Sequence, residues 1–530
     1  MTLMEELHSL VRSLSPSEKR YFSVQASMQG DAGAKQYYLL YEILGACPVW
    51  DEELIKEAVA LNFSTVNLPS LRRNLRKQLL RSLRQYHDEN DPYLQLQNDI
   101  REAEIYFNRS LRTLCLDKIQ KTLEKAMSSE DFEAQQQLFN MQREALLDAW
   151  PASVRRDLEQ IHLNCDECLK QHSNYLAYQE LYDRAFYCIR NRGNLTSREA
   201  AAELEDIAAD TLMHHPDQAL SKRATIRFHM ICSLICTYID VNSSPNCSAW
   251  IRKHTQPGEH LAVANAMMQQ YPDLRGNTIR HRIIVNSNFI NSAIQEQNLG
   301  GAYDGIAFLQ HIESTQSESL SPRELSELKH NIYYATIICC LNDPGRSERF
   351  NSMVNAAELE KWLNNQSAEV NQARILALRY NCGILLLLMH QAVNAFRFLE
   401  AIPYCLSESD STSASRNDIR AIGRMFLPIC AYEAADYTSM DGLVRSAERN
   451  LKKGQLLLKP WRIILNFLKR LPDLVFEAHS TRDRELLPAH FTKTLGKFNH
   501  AVADAGIESR LGVGEIRMWL GRHALKNDMD

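Results

Sequence analysis

Four residues near position 165 have the side chains and the spacing of metal ligands. His162, Cys165, Cys168 and His172 follow one another at intervals of three, three and four residues, and zinc binds imidazole and thiolate groups. On a single helix, however, these residues would extend over roughly 15 Å of the axis, and one zinc ion cannot bridge that distance. We therefore predict a helix face with two small buried thiols and no metal site.

A cluster of six cations forms the second candidate site. Leucines recur at every third or fourth position between residues 68 and 83, and no acidic residue lies between Val66 and His87. This pattern predicts a basic amphipathic helix over residues 68–87, docked through its leucines and able to bind an anionic ligand through its opposite face. The candidate residues are Arg72, Arg73, Arg76, Lys77, Arg81 and Arg84.

Three interpretations of this basic helix stay open. It is a solvated surface whose cations pair with acidic residues that follow it, a nucleic-acid-binding helix, or a helix that lies on an anionic membrane surface. Short helices predicted at 37–44 and 51–60 would precede it as in a helix-turn-helix, but we find no base-reading asparagine and no wing. The basic face also lacks the flanking Trp or Phe of membrane-surface helices. The acidic residues that follow are Asp88, Glu89, Asp91, Asp99, Glu102 and Glu104.

Other motifs of enzymes are not recognisable. The run that begins at Gly300 and Gly301 lacks the Lys-Ser/Thr of a phosphate loop and no strand precedes it, so we expect a tight turn between two helices. His214 and His215 before Pro216 indicate a helix end, where imidazolium is favoured by the helix dipole. No serine-elbow, zincin or kinase pattern occurs. We therefore expect a protein that is not an enzyme, with no catalytic residue and no cofactor.

Length and composition predict the domain organisation and the cellular location of the protein. A chain of 530 residues is too long for one compact core, and only 19 Gly and 16 Pro predict few tight turns and long elements. The net charge of −5 excludes a globally basic nucleic-acid binder. The 13 cysteines, many within apolar helical runs, favour reduced thiols. Without a signal peptide or an apolar run of about 20 residues, we expect a cytoplasmic protein with no membrane span.

Helical periodicity predicts an all-α chain with two parts. Residues 1–90 should form an N-terminal module of short helices that ends in the basic helix, with a Gly/Asp turn over residues 29–35. Residues 91–530 should form an array of helical hairpins with loops at 242–248 and 406–415 and a C-terminal cap. The first helices of this array are predicted at 93–110, 116–128, 132–150, 153–192, 197–214 and 221–239.

A weak repeat runs through the second half of the chain. Phe289, Tyr334, Tyr380 and Phe426 recur at intervals of about 46 residues, within the range of helical arrays, and each is predicted to lie in the first helix of a pair. Residues 377–402 also fit the tetratricopeptide spacing.

In that spacing, Gly383 is the glycine of the first helix. Ala395 is then the small residue twelve positions later, and Leu399 the apolar residue four further on. Small residues are needed there because the two helices of the hairpin cross closely. We therefore predict a tetratricopeptide-like α-solenoid.

The N-terminal sequence resembles a known group of proteins. The run LVRSLSPSEKRYF at positions 10–22, the helices near 37–44 and 51–54, and the sequence SLRQYH at 82–87 are similar to the opening of uncharacterised tetratricopeptide-like proteins of Bacteroidota-type bacteria. The resemblance covers about the first 87 residues. It implies a helical-repeat architecture and a cytoplasmic location, and it implies no activity.

These observations favour a non-catalytic scaffold that binds a protein or peptide partner on a surface of the array. The alternative is a nucleic-acid-binding regulator that uses the basic helix 68–87.

Overall fold

The computed structural model describes residues 2–28, 32–47, 49–63, 67–192, 198–238, 256–365, 371–405, 416–481, 486–508 and 510–524. Within these ranges every regular element is a helix, so the predicted all-α class is confirmed. Among the helices of the same ranges, none is both long enough and apolar enough to cross a membrane. The loops predicted at 242–248 and 406–415 lie outside the described residues.

The chain divides into two compact units, Met1–Leu328 and Lys329–Asp530. The N-terminal module predicted over residues 1–90 lies within the first unit. Its five helices are α1 Leu3–Ser13, α2 Pro16–Met28, α3 Ala32–Ala46, α4 Glu52–Asn62 and α5 Leu68–Asn90.

Capping residues explain where these short helices begin. Thr2 and Glu5 form a capping box at α1, in which each side chain bonds the other residue's backbone N–H. Ser15 and Glu18 make the same exchange at α2, at 2.7 and 3.2 Å. Residues 29–31 of the turn predicted over 29–35 lie outside the described residues. The prediction is wrong for residues 32–35, since α3 begins at Ala32. Alanine and lysine are good helix formers, and an isolated glycine among them is tolerated within a helix.

Long helices packed on their sequence neighbours follow the module, and their boundaries lie close to the predicted ones. Each of the four packs on the next, because apolar residues at helical spacing face their neighbours. Asp91 and Asp131 supply side-chain caps for the first and the third of them. The four helices are α6 Pro92–Asn108, α7 Arg112–Ser128, α8 Phe132–Ala149 and α9 Val154–Arg192.

The helix α9 is the longest described element, with 39 residues and a length of roughly 58 Å. Its first half packs on α8 through Ile161 and Cys168, and its second half belongs to another cluster through Tyr178, Leu181 and Ala185. The first unit then continues with α10 Arg198–Ala209, α11 Lys222–Tyr238, α12 Pro257–Gln270, α13 Ile279–Gln295 and α14 Leu299–Gln316.

The helix predicted over 197–214 is shorter than expected. It ends at Ala209, and two 3₁₀ turns follow, Thr211–Met213 and Pro216–Gln218. Asp210 has extended backbone and its side chain accepts a hydrogen bond from Leu212 N–H. An aspartate that caps a new turn in this way ends the preceding helix.

A single turn geometry recurs between consecutive helices. After α13, Gln297 has a φ of 59°, its N–H donates to the Ile294 carbonyl at 3.1 Å, and the Asn298 N–H donates to Ala293 at 2.8 Å. These two bonds define a Schellman turn. The same geometry occurs with glycine in the left-handed region at Gly506. It occurs with a residue other than glycine in that region at Ser110, Glu130, Gln297, His390, Ala435 and Gln455.

This turn corrects two expectations. Scarcity of glycine does not make tight turns scarce here, since they use other residues. The predicted glycine turn is also wrong: Gly300 and Gly301 lie in the first turn of α14, where the Asn298 side chain accepts the Gly301 N–H at 3.0 Å. The chain reverses one turn earlier, at Gln297.

The second unit has one large apolar core. The helix α15 Pro322–Asn342 leads into it, and Trp461, Trp519 and Phe498 are among its fully buried side chains. The helices that follow are α16 Arg346–Met353, α17 Ala356–Asn365, α18 Gln372–Leu388, α19 Ala392–Glu400, α20 Asn417–Met425, α21 Leu427–Glu433, α22 Met440–Lys453, α23 Lys459–Thr481, α24 Leu486–Ala505 and α25 Val513–Ala524.

The hairpin of α18 and α19 has the close approach that its spacing predicted. A Cβ atom on Gly383 would lie 2.5 Å from Leu399 Cγ, and Ala395 is fully buried. Of the four repeated aromatic residues, Phe426 is not in the first helix of a pair: it lies between α20 and α21, where its ring centroid is 6.1 Å from that of Tyr380.

Candidate anion-binding surface

The leucines of α5 fix the helix on the N-terminal module. Asn67 accepts the Ser70 N–H at 3.3 Å, and Pro69 occupies the first turn, where its missing N–H is not needed. Leu71, Leu75 and Leu79 are buried in the core that α1, α2 and α3 share with α5. The predicted leucine stripe is therefore confirmed, and the helix extends to Asn90.

The opposite face of α5 carries the predicted cations into solvent. Arg73, Arg76, Lys77, Arg81 and Arg84 are exposed, and Arg72 is half-buried. Arg76 pairs with Glu6 at 3.0 Å, and the Arg84 side chain donates to the Leu80 carbonyl at 3.2 Å. Within the described ranges, none of the cations except Arg76 forms an ion pair with a carboxylate.

Two of the acidic residues that follow α5 have other partners. Asp99 accepts hydrogen bonds from Lys118 and Lys125 of α7, at 2.7 and 2.6 Å, and Glu102 accepts one from Lys118 at 2.5 Å. Burial alone would raise the pKa of Asp99, but these two lysines outweigh it and lower that pKa. The expectation that Asp99 and Glu102 neutralise the basic helix is therefore wrong.

Four of the exposed cations form one row along α5. Arg73, Lys77, Arg81 and Arg84 are spaced by four, four and three residues, so they share a helix face over roughly 16 Å. Like charges at this spacing destabilise a helix by about 0.2–0.5 kcal/mol per pair. The row therefore does not contribute to the stability of the module, and its geometry suits an extended anionic ligand.

The four metal-like residues of α9 differ in exposure and do not converge on one point. His162 is exposed, whereas Cys168 is buried and its thiol donates to the Phe132 carbonyl at 3.6 Å. Burial raises the pKa of Cys168 to about 11, and the His172 ring stacks on Phe132 at 5.4 Å. Cys165 is only partly buried. Across the part of the chain that the structure describes, no three His, Cys, Asp or Glu residues are placed to share a metal ion.

A second group of cations was not predicted from the sequence. Arg223 and Arg227 of α11 lie over tyrosine rings of α9, 3.9 Å from the centroid of Tyr175 and 4.7 Å from that of Tyr182. The spacing of four residues places both arginines on one helix face, and this spacing can be recognised in the sequence. The tyrosines lie about 45 residues earlier in the chain, and no sequence pattern connects them to α11.

A comparison of the chain with protein-family models gave no match, and a comparison with curated proteins gave none either.

Proposed function

We propose that this chain is a non-catalytic helical-repeat scaffold of tetratricopeptide-like hairpins that binds a protein or peptide partner. The sequential packing of α6 to α9 and of α11 to α14, in which each helix packs on the next, supports a repeat array. Such arrays form extended binding surfaces without catalytic groups. A cytoplasmic location is part of the proposal, and the twelve described cysteines, none of which forms a disulfide, support it.

The row of exposed cations on α5 indicates which kind of partner the scaffold binds. Four cations on one face have no described carboxylate partner, and they weaken the helix that carries them. A partner with an acidic segment would relieve this repulsion when it binds. The same observation favours a second candidate, a nucleic-acid-binding regulator, because phosphate backbones are bound by rows of Lys and Arg.

Affinity capture from a lysate, with and without nuclease, tests both candidates. The wild type is compared with a Lys77→Glu/Arg81→Glu variant of α5. The matched control is Lys493→Glu/Lys497→Glu on α24, which reverses two exposed cations at the same spacing. If the scaffold binds an acidic partner, one protein is recovered despite nuclease, and only the α5 variant loses it.

Two results would contradict the scaffold. Recovery of nucleic acid that the α5 variant abolishes, with an affinity that falls steeply with salt, would support the regulator instead. Equal loss of the protein partner in both variants would show that net charge and not the row on α5 governs binding.

A further inference from the structure

A small cavity in the first unit lies beside the arginines of α11. It is lined by Arg223 and Arg227, by Tyr175 of α9, and by Arg275, Asn277 and His281 from the segment between α12 and α13 and the start of α13. Its volume is about 40 Å³. Since a water molecule needs about 10–15 Å³ on this measure, the cavity has space for about three water-sized groups.

Stacking on aromatic rings holds these guanidinium groups in place. Arg275 lies 3.3 Å from the centroid of Tyr93, and Arg223 and Arg227 lie over Tyr175 and Tyr182. A guanidinium that stacks through its face keeps the N–H donors on its edge, which match the oxygens of a carboxylate or a phosphate. Arg223 Nη1 already donates to the Glu130 carbonyl at 2.8 Å and Arg227 Nη1 to the Met230 sulfur at 3.4 Å, so a ligand would use the remaining N–H groups. The side chains are therefore ordered before any ligand arrives, which lowers the entropy cost of binding.

Two of the three arginines that line the cavity form no ion pair with a described carboxylate. Asp131 lies 3.6 Å from Arg275. The Glu130 carboxylate accepts the backbone N–H groups of Lys222 and Arg223, at 2.9 and 2.8 Å. Among the described residues, neither Arg223 nor Arg227 forms an ion pair with a side-chain carboxylate.

Two neutral side chains shape the same wall. Burial and the charge of Arg227 lower the pKa of His281, whose Nδ1 lies 3.3 Å from the Gly276 carbonyl. His281 therefore adds no positive charge near pH 7. The Asn277 amide donates to the carbonyls of Met268 and Tyr271, at 2.7 and 2.9 Å, and so fixes the segment that carries it.

We propose that this cavity binds a dianionic phosphate group between Arg223 and Arg227. Two guanidinium groups without carboxylate partners match a charge of −2 better than the single charge of a carboxylate. The space for about three water-sized groups suits the terminal oxygens of a phosphoryl group, and any substituent on that group would lie outside the cavity. The site is independent of the proposed scaffold function, since it uses no residue of α5.

Phosphorus NMR titration of the full chain tests the site with two probes, inorganic phosphate and O-phosphoserine, at constant ionic strength. We expect saturable binding by the wild type and at least about tenfold weaker binding by Arg227→Gln, which removes a charged hydrogen-bond donor. Arg227→Lys keeps the charge but loses the planar fork, so it should also weaken binding. The matched control, Arg280→Gln, removes an exposed charge of α13 that does not line the cavity, and its binding should stay within about twofold of wild type.

The probes also identify the source of the phosphate. Tighter binding of O-phosphoserine indicates a phosphorylated side chain, and tighter binding of inorganic phosphate indicates the free ion; both results support the site. Absence of saturation in the wild type, an equal loss in Arg280→Gln, or displacement by acetate at the concentration at which phosphate itself saturates would overturn the proposal. Circular dichroism establishes that each variant is folded, and Arg227→Lys serves if Arg227→Gln is not.

Discussion

Two helices of this protein use their residues in opposite ways. In α18, 11 of 17 residues are buried, among them an arginine and a glycine. In α5, 4 of 23 residues are buried, and three of these are the leucines of its stripe. The α18 helix is therefore committed to internal packing on all sides, whereas α5 packs through one stripe and leaves a charged face to solvent.

The treatment of charge differs in the same way. Near the core of the second unit, the Glu433 carboxylate accepts hydrogen bonds from Trp519 Nε1 at 2.7 Å and from His523 Nε2 at 2.5 Å, with Arg522 at 3.7 Å. On α5 the exposed cations have few partners. The comparison indicates that buried charge joins helices of the second unit, while the exposed charge of α5 is available for a ligand.

The largest expected effect is the loss of the buried carboxylate. Glu433→Ala leaves the His523 and Trp519 donors without their acceptor, and removal of one member of a buried ion pair costs about 3–5 kcal/mol. Urea denaturation followed by circular dichroism measures the free energy of unfolding. The control, Asp441→Ala, removes a carboxylate from the exposed pair with Arg445 and should cost less than about 1 kcal/mol. Equal losses of stability in the two variants would contradict the distinction between buried and exposed charge.

A smaller loss is expected from the close contact between α18 and α19. Gly383→Val places a branched side chain where even a Cβ meets Leu399, and overpacking of this kind costs about 1–3 kcal/mol. Gly496→Ala is the matched control. Gly496 lies in α24, is exposed and has open space around it. It should stabilise the second unit by about 0.5–1 kcal/mol, since alanine favours a helix interior. A neutral Gly383→Val would show that the two helices can separate without cost.

Acid titration sharpens the distinction between buried and exposed charge. Burial alone would raise the pKa of Glu433, but hydrogen bonds from His523 and Trp519 and the charges of His523 and Arg522 outweigh it, so the pKa is lowered from 4.5. A lowered folded pKa gives stability that is present above pH 4.5 and is lost as the pH falls through the folded value. The unfolding free energy of the wild type should therefore fall more steeply below that pH than that of Glu433→Gln. Parallel pH profiles would contradict the role assigned to this carboxylate.

The smallest effect on stability is expected on α5. Lys77→Glu/Arg81→Glu changes two exposed side chains that form no described ion pair, so the free energy of unfolding should change by less than about 0.5 kcal/mol. A small gain is expected where the substitutions relieve like-charge repulsion. Thermal and urea unfolding beside the wild type measure it. A decrease in the free energy of unfolding of more than about 2 kcal/mol would show that these cations stabilise the fold. It would contradict the proposal that they are available for a ligand.

Much of the fold was predictable because local signals agreed. Helix boundaries near Asp91 and Asp131 followed from apolar residues at helical spacing, the α5 stripe from leucine spacing, and the contact of Gly383 with Leu399 from repeat spacing. Each of these signals lies within a short stretch of chain, so it can be recognised without knowledge of contacts between distant segments.

The errors arose where the backbone used an unexpected residue. At Gln297 a side chain with a Cβ adopts the left-handed conformation that glycine adopts more easily, so the turn had no glycine to mark it. Gly300 and Gly301, which did suggest a turn, lie inside α14.

The candidate sites divide in the same manner. The six cations of α5 lie within one short stretch of sequence and could be found from their pattern alone. Their pairing could not, since Asp99 prefers the lysines of α7, which only the packing of α6 on α7 brings near. The stacking of Arg227 on Tyr182 likewise depends on the contact between α9 and α11, which no pattern in either segment specifies.

The length of α9 has a consequence for how the first unit opens. One uninterrupted helix belongs to two apolar clusters, and Tyr175 packs against both. Because Tyr175 contacts both clusters, loss of either cluster removes packing contacts from the edge of the other. The amides on either side of Tyr175 should therefore exchange with deuterium at one common rate, and the two clusters should behave as a single cooperative folding unit.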